Sequence, residues 1–146
     1  MTLLPNDGAG SFGAGEQLTA WLLECFEVGV EAGFSPELMV MELYGSGEAA
    51  EILGLMARNG FFKQMAHHST TSQYGTLSRG PRMLSDEMRR KARQLLRDDI
   101  KGGAFVKEWS AEQAAGSRRL AELRERALKH PMSVAEEKVI AMVQRG

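Results

Sequence analysis

Apolar residues recur every three or four positions along most of the chain, and no segment alternates apolar and polar residues for long enough to form a strand. The first stripe predicts a helix over about 16–32, which Gly33 closes. Later stripes bring the total to about seven or eight helices, so the pattern predicts an all-α fold. The expected core positions are Leu18, Trp21, Leu22, Cys25, Phe26, Val30, Phe61, Phe62, Met65, Val139, Ile140 and Val143.

Serine residues mark several predicted helix starts. Ser35 precedes Pro36 and Glu37, a combination typical of an N-cap followed by the first helical turn. Ser69 and Ser85 begin two later predicted segments, over about 69–80 and 85–101. Capping-box spacing predicts two further helix starts. These pairs are Ser110 with Gln113 and Ser133 with Glu136.

Two acidic residues flank a Gly-Ser-Gly break between the second and third predicted helices. The glycines are predicted to end the helix that carries Glu42, and Glu48 to begin the next one. On one unbroken helix their six-residue separation would turn the two side chains about 240° apart. A bend at the break allows both carboxylates to face one cation such as Mg²⁺, which prefers oxygen ligands and keeps waters. The alternative is a solvated acid and a first-turn acid that favours the helix dipole.

Short motifs in this region and after it resemble one enzyme family in combination. They are GFSPE at 33–37, an acid-led helix that ends in Gly60, SxTxxYG at 69–75, and GPR at 80–82. Together they resemble the C-terminal, all-helical knotted domain of ketol-acid reductoisomerase. The resemblance extends over about 16–143, nearly the whole chain. It implies a multi-helical knotted fold in an intertwined homodimer.

The resemblance also implies roles for three residues. In the family, two glutamates of this domain bind a pair of Mg²⁺ ions, and Glu42 and Glu48 match them. The family spaces these glutamates one helical turn apart, whereas two extra residues separate them here. Ser69 matches the serine that hydrogen-bonds the substrate carboxylate. No catalytic residue beyond the metal ligands, and no cofactor-binding residue, is implied within this chain.

The family's activity is the Mg²⁺-assisted isomerisation and NADPH reduction of 2-acetohydroxy acids in branched-chain amino-acid biosynthesis. Family members hold NADPH in a separate nucleotide-binding domain, for which a chain of 146 residues is short. We therefore expect the isolated chain to be inactive, and the missing domain to come from a longer gene product or a separate chain. The alternative is a catalytically silent helical dimerisation or binding module derived from the enzyme domain.

Composition narrows the possible partners and location. A net charge of −1 argues against a nucleic-acid binder. Cys25 is the single cysteine, so no intrachain disulfide is possible, and it is expected to be a core thiol. No apolar run is long enough for a signal peptide or a membrane span, so we expect no membrane partner and a soluble, cytoplasmic protein.

The amino-terminal residues differ in composition from the rest. Residues 1–15 are rich in glycine and predict a flexible linker, which leaves 16–146 as the helical domain. Gly8, Gly10 and Gly13 form a GxGxxG pattern, but the residues before them are too few and too broken by Pro5 to form the strand that a dinucleotide site requires.

Overall fold

Eight α-helices and no strand make up residues 14–143, the part of the chain that this computed structural model describes. The helices are α1 (Ala14–Glu31), α2 (Pro36–Val40), α3 (Glu48–Asn59), α4 (Thr70–Arg79), α5 (Asp86–Leu95), α6 (Ala104–Ala114), α7 (Arg118–Leu128) and α8 (Pro131–Val143). π-helical turns extend α2 over Met41–Gly45 and α5 over Leu96–Lys101. 3₁₀ turns lie on either side of α4, at Lys63–His67 and Gly80–Met83. The predicted all-α class is confirmed.

The three serine caps expected from the sequence are present. The Oγ atom of Ser35 accepts a hydrogen bond from the Leu38 backbone N–H at 3.2 Å. Ser69 and Ser85 cap α4 and α5 in the same way, each through the N–H three residues later. Each cap satisfies one of the N–H groups that a helix start leaves without an intrahelical partner.

The segment between α2 and α3 follows the predicted break and adds a π turn. The helical segment that carries Glu42 ends at Gly45, as predicted, and the Ser46 N–H closes its last turn by donating to the Met41 carbonyl at 3.1 Å. A bond between residues five apart accommodates an extra residue within a helical turn. Gly47, with a φ of 84°, then reverses the chain in the left-handed region and lets Glu48 begin α3.

The core lies where α1, α2 and α8 meet. Its buried apolar side chains come from these three helices. They are Phe26, Val40, Ala135 and Val139. Gly29 of α1 is also buried, because the Met39 side chain occupies the space where a Cβ would stand. Two polar contacts tie the same helices, Lys138 to Glu37 at 2.6 Å and His130 to Glu27 at 3.2 Å.

Several residues predicted for the core are exposed instead. Phe61 and Phe62 are 63% and 69% exposed, and Leu18, Ile140 and Val143 are also exposed. These positions follow the helical period, but no other element of residues 14–143 buries them. Phe26, Met65 and Val139 are buried as predicted. The remaining positions are partly buried, namely Trp21, Leu22, Cys25 and Val30.

Neither predicted capping box begins a helix. Ser110 lies inside α6, which runs unbroken from Ala104 to Ala114. Ser133 lies in the first turn of α8, and its hydroxyl donates to the Ala127 carbonyl at 3.1 Å. Pro131 begins α8 because its fixed φ and missing N–H suit the first helical position.

The structure tests little of the predicted linker. Helix α1 begins at Ala14, two residues before the predicted start. The rest of 1–15, with its GxGxxG pattern, lies outside the described residues, as do residues 144–146. Within residues 14–143, no helix combines the length and apolar character that a membrane span requires.

Candidate metal and substrate site

Glu42 lies in the π turn that follows α2. Its side chain is exposed, and its carboxylate has no hydrogen bond or ion pair among residues 14–143. Tyr44, in the same turn, donates its hydroxyl to the carboxylate of Glu136 in α8. Burial and this hydrogen bond raise the pKa of Tyr44 above its usual range. The π turn that carries Glu42 is thereby attached to the core helix α8.

Glu48 begins α3, immediately after the left-handed Gly47. Its backbone N–H donates to the Ser46 Oγ at 3.4 Å, while its carboxylate has no partner within the described chain. The side chain lines a cavity of about 210 Å³ between α3 and α4. Glu42 is not among the residues that line this cavity. The structure thus associates Glu48 with the α3–α4 cavity and Glu42 with the preceding turn.

Ser69 occupies the elbow between the 3₁₀ turn and α4. Its Oγ atom accepts the Ser72 N–H, which leaves the hydroxyl hydrogen free to donate elsewhere. The cap is therefore compatible with a second hydrogen bond to a ligand. Ser69 does not itself line the α3–α4 cavity, but its neighbours His68 and Ser72 do.

Both polar and apolar residues line the cavity. The apolar ones are Ile52, Met56, Phe61 and Met65. The polar residues besides Glu48 are Gln64, His68, Ser72, Gln73 and Thr76. Such a cavity suits a small molecule with both polar groups and an apolar part.

A network of hydrogen bonds holds the elbow in place. Gln64 is only 4% exposed; its Nε2 donates to the Phe61 carbonyl at 3.2 Å, and its Oε1 lies 2.7 Å from the Nε2 of His68. Gln73 of α4 donates to the His68 carbonyl at 2.9 Å. Sequence reasoning missed Gln64 and Gln73. For Gln64, the sequence did contain a signal, namely its i, i+4 spacing from His68.

The donor chemistry of the two glutamates fits a hard divalent cation. Both offer carboxylate oxygens that no Lys or Arg of residues 14–143 neutralises. Within that range, no cluster of three or more His, Cys, Asp or Glu side chains is arranged to hold a metal. A cation bound here would therefore complete its coordination with water, substrate or ligands from outside the described residues. Mg²⁺ commonly binds in this way.

Comparison with known proteins identifies the family. A family model described as ketol-acid reductoisomerase, C-terminal domain, matches residues 14–145. The chain belongs to the ketol-acid reductoisomerase family. Its helical fold is thus the C-terminal domain of that family, as the resemblance in the sequence indicated.

Relatives support the same assignment. The chain is 42% identical over 125 residues to a putative ketol-acid reductoisomerase 3 of Saccharolobus solfataricus, covering 83% of this chain and 36% of that protein. It is 39% identical over 107 residues to a ketol-acid reductoisomerase (NADP(+)) of Pyrobaculum calidifontis, covering 73% and 32%. The chain therefore spans about a third of the length of these relatives.

A solved structure shares the fold. It is an NADH-preferring ketol-acid reductoisomerase from an uncultured archaeon, with a TM-score of 0.77 and 26% sequence identity. The similarity covers 87% of this chain and 38% of the other. Neither the roles of Glu42, Glu48 and Ser69 nor the predicted homodimer follows from family membership alone, so these remain predictions.

Proposed function

We propose that this chain is the helical part of a ketol-acid reductoisomerase and supplies metal and substrate ligands to an active site shared with a nucleotide-binding domain. The reaction is the Mg²⁺-dependent isomerisation and NADPH reduction of 2-acetohydroxy acids in the cytoplasm. One observation carries the proposal. In a chain of this family, Glu48, a glutamate whose carboxylate has no partner among residues 14–143, lines the same cavity as the residues beside the Ser69 elbow.

The three predicted site residues have separate tasks in this proposal. Glu42 and Glu48 hold Mg²⁺ through carboxylate oxygens. When bound, the metal supplies Lewis-acid polarisation of the substrate oxygens. Ser69 donates its free hydroxyl hydrogen to the substrate carboxylate, and its cap on α4 fixes the position of the Oγ atom. The positive end of the α4 dipole favours the same anionic group.

We further propose that the chain functions as a homodimer. Among the described residues, five apolar side chains are buried, whereas twenty-two large apolar ones are exposed. The apolar side chains of α6 and α7, such as Phe105, Trp109, Leu120 and Leu123, line an open groove of about 490 Å³. Exposed apolar surface on this scale is typical of an interface between chains.

A second unfilled space supports the dimer. Helices α1 and α5 face each other across a gap of about 620 Å³. Trp21 of α1 lines it from one side, and Met88, Ala92 and Leu95 of α5 line it from the other. Charged residues such as Glu24, Glu87 and Lys91 also line the gap. Its apolar part is stabilised when another apolar surface displaces water from it. A helix of a second copy of this chain is the occupant that we propose.

The π turn favours a second candidate function, a catalytically silent helical module. Met41–Gly45 contains Glu42 and overlaps the Tyr44 to Gly47 segment, where two more residues separate the glutamates than in the family. Added residues alter the relative direction of the two carboxylates, because Glu42 lies in the π turn and Glu48 begins a new helix after Gly47. Metal binding separates the two functions, since the silent module does not require it.

The test is a calorimetric Mg²⁺ titration of the chain, alone and with the nucleotide-binding domain of a related enzyme. We expect Glu42→Gln and Glu48→Gln each to weaken binding about tenfold or more, since each removes a charged ligand. Glu51→Gln is the matched control, because Glu51 also lies in the first turn of α3 and is exposed. Equal binding by all variants, or none even with the added domain, would contradict the metal assignment and favour the silent module.

A further inference from the structure

We infer that His68 determines ligand specificity at the α3–α4 cavity by accepting a hydrogen bond, through Nδ1, from the hydroxyl group of a small hydroxy acid. The inference deepens the proposed function and rests on it, because it concerns the same cavity. It adds a residue to which the family resemblance assigned no role.

The orientation of the buried Gln64 amide fixes which ring nitrogen of His68 carries a proton. The Gln64 Nε2 donates to the Phe61 carbonyl, so the Oε1 is the amide atom that faces His68. If the amide were flipped, the Gln64 Oε1 would face the Phe61 carbonyl oxygen, and two acceptors in contact are unfavourable. An oxygen can only accept, so the Nε2 of His68 must be the donor. In the neutral imidazole the Nδ1 is then an acceptor, and it has no partner among the described residues.

The backbone on both sides of His68 is also held. Its N–H donates to the Met65 carbonyl at 2.9 Å, and its carbonyl accepts from the Gln73 side chain. His68 is thus attached through its ring to Gln64 and through its carbonyl to α4. A side chain held in this way loses little further freedom when it binds a ligand, which favours selectivity.

The surroundings of His68 specify the chemical class of the ligand. The adjacent Ser69 hydroxyl and the α4 N-terminus suit a carboxylate. His68 offers an acceptor, which suits a hydroxyl donor one or two bonds away from that carboxylate. Ile52 and Met56 of α3 also line the cavity of about 210 Å³ and suit a short alkyl group. A small, branched 2-hydroxy acid combines these features.

His67 provides a control within the same sequence. It is adjacent to His68 but exposed, its Nε2 lies 3.2 Å from the Asn59 side chain, and it does not line the cavity. A change at His67 therefore removes an imidazole from the same elbow without removing the proposed acceptor.

The first measurement reads the ring nitrogens directly. In ¹⁵N-histidine-labelled full-length chain at pH 8, the His68 signals should show a protonated Nε2 and a bare Nδ1. Gln64→Leu should produce a mixture of the two tautomers, while the His67 signals keep their wild-type positions. A protonated Nδ1 in the wild-type chain, or an unchanged His68 in Gln64→Leu, would overturn the inference.

The second measurement tests selectivity, with 2-hydroxyisobutyrate and isobutyrate as probes that differ by one hydroxyl. Titrations with Mg²⁺ should show about fivefold tighter binding of the hydroxy acid, as one neutral hydrogen bond gives. His68→Leu should abolish that preference, and His67→Leu should keep it. Circular dichroism checks that both variants fold. If the wild-type chain binds both acids equally, or if His68→Leu keeps the preference, the inference is wrong.

A further set of titrations separates the test of His68 from the test of Mg²⁺ binding. The titrations are repeated without Mg²⁺ on Glu48→Gln, which lacks the carboxylate that would repel an acid. A hydroxyl preference that persists there and disappears in the Glu48→Gln, His68→Leu double variant supports the role of His68 even if Mg²⁺ binding fails. If the Glu48→Gln variant does not prefer the hydroxy acid, the proposed role of His68 is wrong. The Mg²⁺ titration described under the proposed function tests the metal assignment independently.

Discussion

The core helices α1, α2 and α8 and the outer helices α3 to α7 use amphipathic patterns in different ways. In the core, Phe26, Val40 and Val139 are nearly inaccessible to solvent. Long-range side-chain contacts, such as Lys138 with Glu37 and Tyr44 with Glu136, join the same helices. In the outer helices, apolar side chains such as Phe105 and Leu123 remain exposed. Apolar residues with the same periodicity are therefore buried where α1, α2 and α8 meet, but largely exposed in α3 to α7.

The difference separates two kinds of stability. The core supplies the free energy that holds a single chain together, because apolar area is removed from water there. The outer helices form, and serine caps begin two of them, α4 and α5. Their exposed apolar faces contribute to stability only when another surface covers them. Changes in the core should affect unfolding, and changes in the outer helices should affect association.

The largest expected effect is on the unfolding free energy of Phe26→Ala. The Phe26 side chain is 1% exposed, so its removal should cost about 3–5 kcal/mol through lost burial and a cavity. Phe34→Ala is the matched control, because Phe34 is 53% exposed and should cost less than about 1 kcal/mol. Urea denaturation followed by circular dichroism measures both. Equal losses would remove the distinction between the core and the other surfaces.

An intermediate effect is expected on association. Leu95→Glu places a charge in the gap between α1 and α5, and should weaken the proposed dimer about 100-fold. Gln94→Glu adds the same charge at the neighbouring exposed position, about 100° around the helix, and should have little effect. Analytical ultracentrifugation measures the dissociation constants. A wild-type chain that stays monomeric at all concentrations would contradict the proposed homodimer.

The smallest effect is expected from Tyr44→Phe, which removes the hydrogen bond to Glu136. A bond to a charged acceptor contributes about 2 kcal/mol, so stability at neutral pH should fall by that order. Tyr74→Phe is the control, since Tyr74 is exposed.

The raised pKa of Tyr44 predicts that the stability of the folded chain depends on pH. The pKa of Tyr44 is raised in the folded chain, first by burial and then by the hydrogen bond to Glu136. A raised pKa contributes stability that is present below the unfolded value of about 10 and is lost as the pH rises above it. Above about pH 10, the unfolding free energy of the wild-type chain, measured by urea denaturation, should therefore fall more steeply with pH than that of Tyr44→Phe. Parallel pH profiles would show that Tyr44 titrates as in the unfolded chain.

Helix starts could be predicted from the sequence because their causes are local. Ser35, Ser69 and Ser85 each cap a helix through an N–H three residues later, so the chain nearby is sufficient. Burial could not be predicted in the same way. Phe61 and Phe26 both follow an apolar stripe, yet only Phe26 lies where another helix covers it. Whether a stripe is covered depends on elements distant in sequence.

The candidate site was likewise only partly predictable from the sequence. Motif resemblance pointed to Glu42, Glu48 and Ser69, but the π turn around Glu42 and the network joining Gln64, His68 and Gln73 emerged only from the structure. Tyr44 of the π turn donates a hydrogen bond to Glu136, ninety-two residues later. No pattern within a few residues contains that information.

The sequence by itself determined the all-α class, the capped helix starts and the family. Each depends on residue types at fixed short spacings. The tertiary structure alone decided which apolar faces are buried and where the α3–α4 cavity lies. These properties depend on where segments far apart in the sequence meet, because burial and hydrogen-bond partnership belong to pairs of surfaces rather than to one stretch of chain.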